Sequence, residues 1–354
     1  MARPPLTNAD LADLLASEAE HQTGTLARAY RRAARSAFLW PESVLVMLNR
    51  GDSLLGLHGV GPFIGKKLTE WVNKPPKDRP RRDPDRRDFL TMADARILLA
   101  RKPGWQQALR GDLQMHTVWS DGSGTVADMA EAATERGYEY IAITDHSKGL
   151  KIAGGINEEQ LRQQAAEIQQ INAKIKLARH SLTILRSIEL NLNPRGEGDM
   201  LPSALNKLDL VLGSFHSVLR VKVDQTARYL AALRNASLQI LGHPRGRVYN
   251  YRLGLKADWS RVFAEAARLD KALEIDCYPD RQDLNVSLLK VARKEGVRIS
   301  LGTDAHHPWQ LEFITLGLAA ALKARIPAER IVNFMPLTEL KQWVKRLRSR
   351  ARLK

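Results

Sequence analysis

The chain has 354 residues, a formal net charge of +16 and a single cysteine, Cys277. This length suits one large α/β domain of roughly 200–250 residues with a smaller module beside it. A single cysteine excludes an intramolecular disulfide framework and a multi-cysteine zinc module. No apolar run approaches the roughly 20 residues of a membrane span, and acidic side chains interrupt the N-terminal region. We therefore expect a cytoplasmic protein with no signal peptide and no membrane anchor.

The positive charge is concentrated at the two ends of the chain. Residues 1–104 carry a net +6 and residues 323–354 a net +8, whereas residues 105–322 carry only +2. Basic regions around a near-neutral centre are typical of proteins that bind a polyanion such as DNA, because phosphate contacts release counterions. A solubilising basic surface explains the same distribution equally well.

Residues 1–72 are predicted to form a small helical module. Apolar residues recur at helical spacing between Leu6 and Leu48. One helix carries four basic side chains at spacings of three and four residues, which places them on a single stripe: Arg28, Arg31, Arg32 and Arg35. The stripe is either a solvated face or a contact surface for DNA, with Arg31 and Arg32 as the candidate DNA contacts.

A glycine turn between two short helices follows at residues 54–68. Its sequence LLGLHGVGPFIGKKL lets backbone amides approach a phosphate without interference from side chains. This pattern resembles the helix-hairpin-helix motif, and residues 6–72 resemble the N-terminal DNA-binding domain of family-X DNA polymerases. The resemblance implies that five hairpin residues contact the DNA backbone: Gly59, Gly61, Gly65, Lys66 and Lys67. In that family a lysine at the position of Lys67 can form a Schiff base with an abasic sugar, although we favour a phosphate contact or a solvated charge.

Residues 73–105 are predicted to connect the two domains. Prolines among alternating charges at residues 73–88 leave too little apolar content for packing and too much proline for a helix. A helix at residues 92–100 then leads into the larger domain.

From residue 106 to 340, short apolar runs alternate with amphipathic helices. The predicted strands end near residues 113, 144, 188, 215, 242, 276 and 303, and helices are predicted at residues 126–136, 158–178, 226–234, 259–269, 286–294 and 311–323. Strands that alternate with helices of this length indicate a parallel sheet.

Polar side chains cluster at the ends of these predicted strands. Five of the nine histidines and three carboxylates occupy such positions: His116, His146, His216, His243, His306, Asp121, Glu189 and Asp304. In a parallel α/β barrel the carboxyl ends of the strands converge, so these groups can meet. Imidazole and carboxylate ligands without thiolates suit Zn²⁺, Mn²⁺ or Fe²⁺, and eight ligands exceed the needs of one ion. A cluster of at least two divalent ions is therefore predicted.

The motifs that carry these residues resemble those of the polymerase and histidinol phosphatase (PHP) family. They are DLQMH with SDG, TDH, IE, FHS, GHP and GTDAH. The resemblance implies an α/β fold with a distorted (β/α)₇ TIM-like barrel, two to three divalent metal ions and phosphoesterase activity. The stretch between residues 73 and 111 is too short for a polymerase domain and has no paired aspartates of that kind, so no polymerisation is expected.

One position departs from the family pattern, since Gln114 stands where the family has histidine. We retain Gln114 as a candidate metal ligand and expect a weaker or empty metal position there. Asp145 is expected to orient its neighbours rather than bind metal. Basic residues that follow strand ends are candidate phosphate contacts: Lys148, Arg245 and Arg281, with Arg195 as a weaker one. The remaining residues, 341–354, are predicted to form a basic helix whose apolar face docks on the barrel.

These features favour a metal-dependent phosphoesterase that acts on DNA, as a 3′–5′ exonuclease or another 3′-end-processing enzyme of DNA repair. The catalytic set would be Asp145, Lys148 and Arg245 beside the metal ligands. The alternatives are a small-molecule phosphatase of the histidinol-phosphatase type and a DNA-binding protein with an inactive barrel. The sequence leaves the oligomeric state open.

Overall fold

A computed structural model of the chain describes residues 4–77 and 83–352. Four helices form the N-terminal module, and Thr7 begins the first with a capping box in which its hydroxyl accepts from Asp10 N at 3.1 Å. Buried apolar residues, including Leu11, Tyr30 and Trp40, hold the helices together. The helices are α1 (Asn8–Glu20), α2 (Gly24–Ser36), α3 (Val44–Arg50) and α4 (Pro62–Asn73).

The predicted turn lies between a short 3₁₀ segment, Leu54–Gly56, and the start of α4 at Pro62. Gly59 adopts φ +75°, a conformation that favours glycine, and a Cβ there would lie 2.6 Å from Ser36 Oγ. Both constraints seat the hairpin directly against α2. The four helices confirm the prediction that this region is helical.

Part of the predicted connector packs against the larger domain, contrary to our expectation. Residues 78–82 lie outside the described residues, but the side chain of Arg86 is buried and donates to Asn250 Oδ1 at 2.7 Å. Leu90 N donates to Gln282 Oε1 at 2.8 Å. The sequence pattern missed this packing because the segment has no periodic apolar face, although Leu90 enters the core of the larger domain and Phe89 packs against that of the helical module.

In the larger domain, eight strands in the described ranges form two parallel sheets. One sheet has the order β1-β2-β3 and the other β4-β5-β6-β7-β8. The strands are β1 (Gly111–Asp112), β2 (Tyr140–Ile143), β3 (Thr183–Arg186), β4 (Glu189–Asn191), β5 (Leu212–Ser214), β6 (Ile240–Leu241), β7 (Ala272–Asp276) and β8 (Arg298–Gly302).

The helices match the predicted positions closely. Two helices differ at their start by more than one residue. The helix expected from residue 311 begins at Ile314, because Pro308–Phe313 forms a 3₁₀ segment first, and the helix expected from residue 341 begins at Leu337. The helices are α5 (Met92–Ala100), α6 (Gly104–Ala108), α7 (Val126–Glu135), α8 (Glu158–Leu177), α9 (Pro202–Leu205), α10 (Thr226–Arg234), α11 (Trp259–Arg268), α12 (Val286–Glu295), α13 (Ile314–Ala324) and α14 (Leu337–Arg352).

The family resemblance predicts a seven-stranded barrel, but the strands of this domain form two separate sheets and not one continuous barrel. The strand expected at residues 183–188 is divided, since β3 and β4 belong to different sheets. Isolated parallel bridges join Met115 to Ala305 and His146 to Glu189. These bridges bring the carboxyl ends of strands from the two sheets together.

The C-terminal helix covers one end of the strands. Trp343 on α14 is fully buried, with Leu340 and Val344 beside it, and its indole Nε1 donates to Asp270 O at 2.8 Å. The predicted docking of this basic segment is confirmed, but the helix begins at Leu337, so residue 341 is not a boundary. Within the described parts of the chain, no helix is long and apolar enough to cross a membrane.

Tyr249 joins the helical module to the larger domain. Its ring lies within the apolar core of the module, 4.7 Å from the Phe38 ring, and its hydroxyl donates to Asp13 Oδ1 at 2.8 Å. Met92 N also donates to Phe38 O at 2.8 Å. The module is therefore held against the larger domain by a buried contact.

Replacement of Trp343 by alanine is expected to destabilise the protein by about 3–5 kcal/mol, because it leaves a cavity under the strands and an unpaired carbonyl. The measurement is urea unfolding followed by circular dichroism. Lys345→Ala, an exposed position on the same helix, is the control and should change the unfolding free energy by less than about 0.5 kcal/mol. Equal effects of the two substitutions would show that α14 does not stabilise the fold.

Candidate metal centre

The eight predicted metal ligands lie together at the carboxyl ends of the strands. Each follows or ends an apolar strand, so the parallel direction of the strands brings residues distant in sequence to one edge. Backbone hydrogen bonds fix this edge, with His116 N donating to Ala305 O at 2.7 Å and Glu189 N donating to Asp145 O at 3.1 Å.

Glu189 is the centre of the cluster, and its carboxylate is fully buried. Four imidazoles surround it. The distances from its oxygens are 2.7 Å to His243 Nε2, 2.9 Å to His146 Nδ1, 3.2 Å to His216 Nε2 and 3.6 Å to His116 Nε2.

Two further carboxylates complete the cluster. Asp304 Oδ1 lies 3.0 Å from His116 Nε2, and Asp121 Oδ1 lies 3.3 Å from His306 Nε2 and 3.5 Å from His146 Nε2. The His116 ring stacks at 4.3 Å on that of His146. Three acids and five imidazoles thus share one pocket.

Burial and mutual charge shift the pKa values of these groups. Burial alone would raise the pKa of Glu189, but the charges of His216, His146 and His243 hold it well below its usual range. Burial, aided by His146 and His306, lowers the pKa of His116. For His243 and His306, the nearby carboxylates outweigh burial and raise the pKa to about 10 and about 9 respectively. The ionised carboxylates therefore make this pocket attractive to cations.

The residues present fit divalent metal ions. The side chains form two groups, and within each group the ligand atoms all lie within 4.8 Å of one another. One group consists of His116, Asp121, His146 and His306, and the other of His146, Glu189 and His216, so that His146 belongs to both. The buried Nδ1 of His116 forms no hydrogen bond with a described residue, and the contacts of Glu189 with His146 Nδ1 and His216 Nε2 are short but lack hydrogen-bond geometry. Such atoms favour a bound cation, and nitrogen with oxygen donors suits Zn²⁺, Mn²⁺ or Fe²⁺.

The side chain of Gln114 contacts a buried acid, Glu274, which also accepts a hydrogen bond from His243 N. Its amide nitrogen, turned toward Glu274, donates to the carboxyl oxygens at 2.6 and 2.9 Å. Both side chains are fully buried. The structure thus gives Gln114 a buried acidic partner that the sequence reasoning missed, since Glu274 lies inside an apolar strand pattern.

Asp145 holds the loop that carries the first ligands. Its carboxylate accepts hydrogen bonds from Thr117 N at 2.8 Å, Ser120 Oγ at 2.5 Å and Gln164 Nε2 at 2.7 Å. The residue is fully buried. These contacts agree with the expected orienting role, and they leave little capacity for proton transfer.

Two predicted phosphate contacts point elsewhere. Lys148 Nζ donates to Glu158 Oε1 at 2.7 Å, and Arg245 Nη2 donates to Leu253 O at 2.8 Å. Neither is among the described residues that line the metal pocket. Arg195 pairs with Glu197 at 3.0 Å on the surface. A position just after a strand does not fix the direction of a long side chain, which explains these differences.

Arg281 does reach the pocket, where its guanidinium pairs with Asp304. The pocket has a volume of about 310 Å³ and is also lined by Arg247 and Arg252. Arg247 is committed to backbone carbonyls, with Nε donating to Arg281 O at 2.7 Å. Arg252 also donates to a carbonyl, that of Gly246, but only through Nε, whereas all three nitrogens of Arg247 are used. Arg281 and Arg252 are therefore the basic residues best placed beside the cluster, and the sequence singled out only the first.

The candidate DNA contacts lie on two faces of the helical module. Gly61 N-caps α4 with open space around its Cα, whereas a Cβ added at Gly65 would lie 3.6 Å from Val60 Cγ1. The Lys67 ammonium lies 5.3 Å from the centre of the Trp71 ring, and Lys66 is exposed. The exposed arginines of α2, Arg31 and Arg32 among them, face a separate cavity.

Comparison with known proteins identifies the larger domain. The family model described as the PHP domain matches residues 112–304. The chain is 36% identical over 239 residues to the DNA polymerase/3′-5′ exonuclease PolX of Bacillus subtilis, a match that covers 67% of this chain and 41% of the relative. The chain therefore spans less than half the length of that relative.

A shorter relative matches over most of its length. It is named "Probable phosphatase" in Photobacterium profundum and is 31% identical over 206 residues, which cover 55% of this chain and 77% of the relative. Among solved structures, a histidinol phosphate phosphatase of Lactococcus lactis in complex with zinc, L-histidinol and phosphate aligns with a TM-score of 0.39 and 18% identity, over 68% of this chain and 93% of that chain.

The family model covers more than half of the chain and includes most of the clustered residues. The chain therefore belongs to the PHP domain family of metal-dependent phosphoesterases.

Proposed function

We propose that this protein hydrolyses phosphoester bonds of DNA, as a 3′–5′ exonuclease or another 3′-end-processing enzyme of DNA repair. The observation that carries the proposal is one cluster of five imidazoles and three carboxylates around the buried Glu189, in a chain that also carries a helical hairpin module. The match to a named 3′-5′ exonuclease extends beyond the family model and supports the choice of DNA.

The eight clustered side chains are proposed to hold two to three divalent ions at the strand ends where two bridges join the sheets. Such ions, when bound, polarise the phosphoryl group and activate water. Glu189 is proposed to join the two groups of ligands, because its carboxylate faces imidazoles on several sides.

The protein side chains at the pocket are proposed to bind and orient the phosphate. Arg281 and Arg252 line the pocket and can form charge-assisted hydrogen bonds with phosphate oxygens. Asp145 fixes Thr117 and Ser120, and through them the loop that ends at Asp121. These roles replace those that the sequence suggested for Lys148 and Arg245.

The helical module is proposed to hold the DNA backbone. Gly61 stands at the N-terminus of α4 with no side chain in the way, so its neighbouring amides can approach a phosphate. The exposed ammonium of Lys66 adds a cation on the same helix. The module has no evident role in hydrolysis of a small soluble substrate.

A phosphatase for small molecules is the second candidate, favoured by the relatives named as phosphatases. It explains the metal centre but leaves the hairpin without a role. A DNA-binding protein with an inactive centre is the third, and it leaves the complete set of clustered acids and imidazoles without a role.

The deciding experiment incubates the metal-loaded protein with end-labelled single-stranded, recessed and 3′-phosphate DNA, and separately with histidinol phosphate. We expect turnover of DNA, reduced at least about 100-fold by His146→Ala because a ligand shared by both groups is lost. His180→Ala removes an exposed histidine far from the cluster and should retain activity.

Turnover of histidinol phosphate alone would establish the second candidate. No hydrolysis of any substrate, with salt-sensitive DNA binding retained, would establish the third. DNA turnover that survives His146→Ala would contradict the proposed metal centre.

Replacement of Gln114 by histidine tests whether this position tunes the metal centre. An imidazole beside Glu274 would add a nitrogen ligand, so we expect more bound metal or a changed preference between Mn²⁺ and Zn²⁺, measured by elemental analysis and DNA hydrolysis. Gln114→Ala separates the loss of the Glu274 contact from the gain of a ligand. If Gln114→His changed neither metal content nor hydrolysis, the position would have no influence on the metal centre.

A further inference from the structure

A second cavity lies between the helical module and the PHP domain, outside the metal pocket. It has a volume of about 450 Å³. One wall consists of the α2 arginine stripe, defined as Arg28, Arg31, Arg32 and Arg35, and the other of residues 278–280 with Trp309. None of these residues contributes to the proposed metal centre.

The α2 arginine stripe carries more positive charge than its surroundings neutralise. All four side chains are exposed, and Arg35 Nε lies 3.7 Å from Asp280 Oδ2, the acid among the described lining residues. Arg31 and Arg32 form no ion pair with a described residue. Like charges at spacings of three and four residues destabilise a helix, so a bound anion would relieve their repulsion.

An exposed aromatic ring stands opposite these arginines. Trp309 is 40% exposed, and the edge-on ring of Phe313, 5.2 Å away, supports it from within the PHP domain. The His58 ring of the hairpin lies 6.1 Å from Trp309 across the domain boundary. Cationic side chains beside an exposed aromatic ring are the combination that binds unpaired nucleotides, because bases stack on the ring while phosphates meet the charges.

Two segments connect this cavity directly with the metal pocket. Asp280 lines the cavity, whereas the adjacent Arg281 pairs with Asp304 in the metal pocket. Trp309 follows the clustered His306 by three residues, which span at most about 11 Å. A strand with a nucleotide on Trp309 could therefore place a phosphate at the metal centre within about three nucleotides.

We propose that this cavity, the interdomain groove, binds the unpaired end of a DNA strand and directs it to the metal centre. The inference rests on the proposed function and deepens it, since it names single-stranded DNA as the substrate class. A paired duplex fits this site poorly, because its bases are stacked on one another and cannot stack on Trp309. The arginines would contact phosphates, and Trp309 would stack on a base.

The test is binding of a fluorescein-labelled oligothymidine and of a blunt duplex by fluorescence anisotropy, in EDTA so that no hydrolysis occurs. We expect the wild type to bind the single strand more tightly than the duplex. Trp309→Ala should weaken single-strand binding roughly tenfold, whereas Trp309→Phe should retain most of the affinity because it keeps an aromatic face.

The arginines are tested by their salt dependence. The double substitution Arg31→Ala and Arg32→Ala should reduce the slope of log affinity against log salt by about 1.4, since each phosphate contact of a single strand contributes about 0.7. Arg293→Ala with Lys294→Ala removes the same charge from exposed positions on α12 and should leave the slope unchanged. Circular dichroism establishes that each variant is folded.

Wild-type affinity in Trp309→Ala, or equal slopes in the two double variants, would overturn the inference. Displacement of the oligonucleotide by thymidine monophosphate at equal concentration would also overturn it, since the groove would then be a mononucleotide site. Binding in the groove without hydrolysis by the metal-loaded protein would instead contradict the proposed function and leave the groove established.

Discussion

The site depends on a single buried carboxylate, that of Glu189. A fully buried carboxylate is costly unless cations or hydrogen bonds compensate it, and here four imidazoles approach its two oxygens. The same imidazoles follow different strands, so the compensation of one charge draws several strand ends together. The geometry required to satisfy Glu189 is also the geometry that collects nitrogen and oxygen ligands for a cation.

The positions of the clustered residues could be predicted because they follow a simple rule. Residues such as His216 and His243 come directly after buried apolar runs, and parallel strands place such residues on one edge. The direction in which a long side chain points, and the group that it contacts, could not be predicted in the same way. Arg245 turns to a carbonyl and Arg281 to Asp304, although both follow strands, because the path of each loop decides where a long side chain points.

Contacts between the domains were beyond the reach of sequence patterns. Tyr249 lies in a loop of the PHP domain, yet its ring completes the core of the helical module. Trp309 and His58 meet across the same boundary. Neither contact leaves a periodic pattern in the sequence, because each depends on how the two domains pack against each other. The predicted DNA contacts on the hairpin stay predictions. The α2 arginine stripe lines the interdomain groove together with Trp309.

Glu189 is the residue that we propose to unite a multinuclear metal centre. The most direct test is the metal content of the reconstituted, gel-filtered protein by elemental mass spectrometry, for the wild type and for Glu189→Gln, which keeps the shape but removes the charge. We expect at least two divalent ions per wild-type chain and the loss of at least one in the variant. One ion or none in the wild type, or an unchanged content in Glu189→Gln, would contradict this proposal.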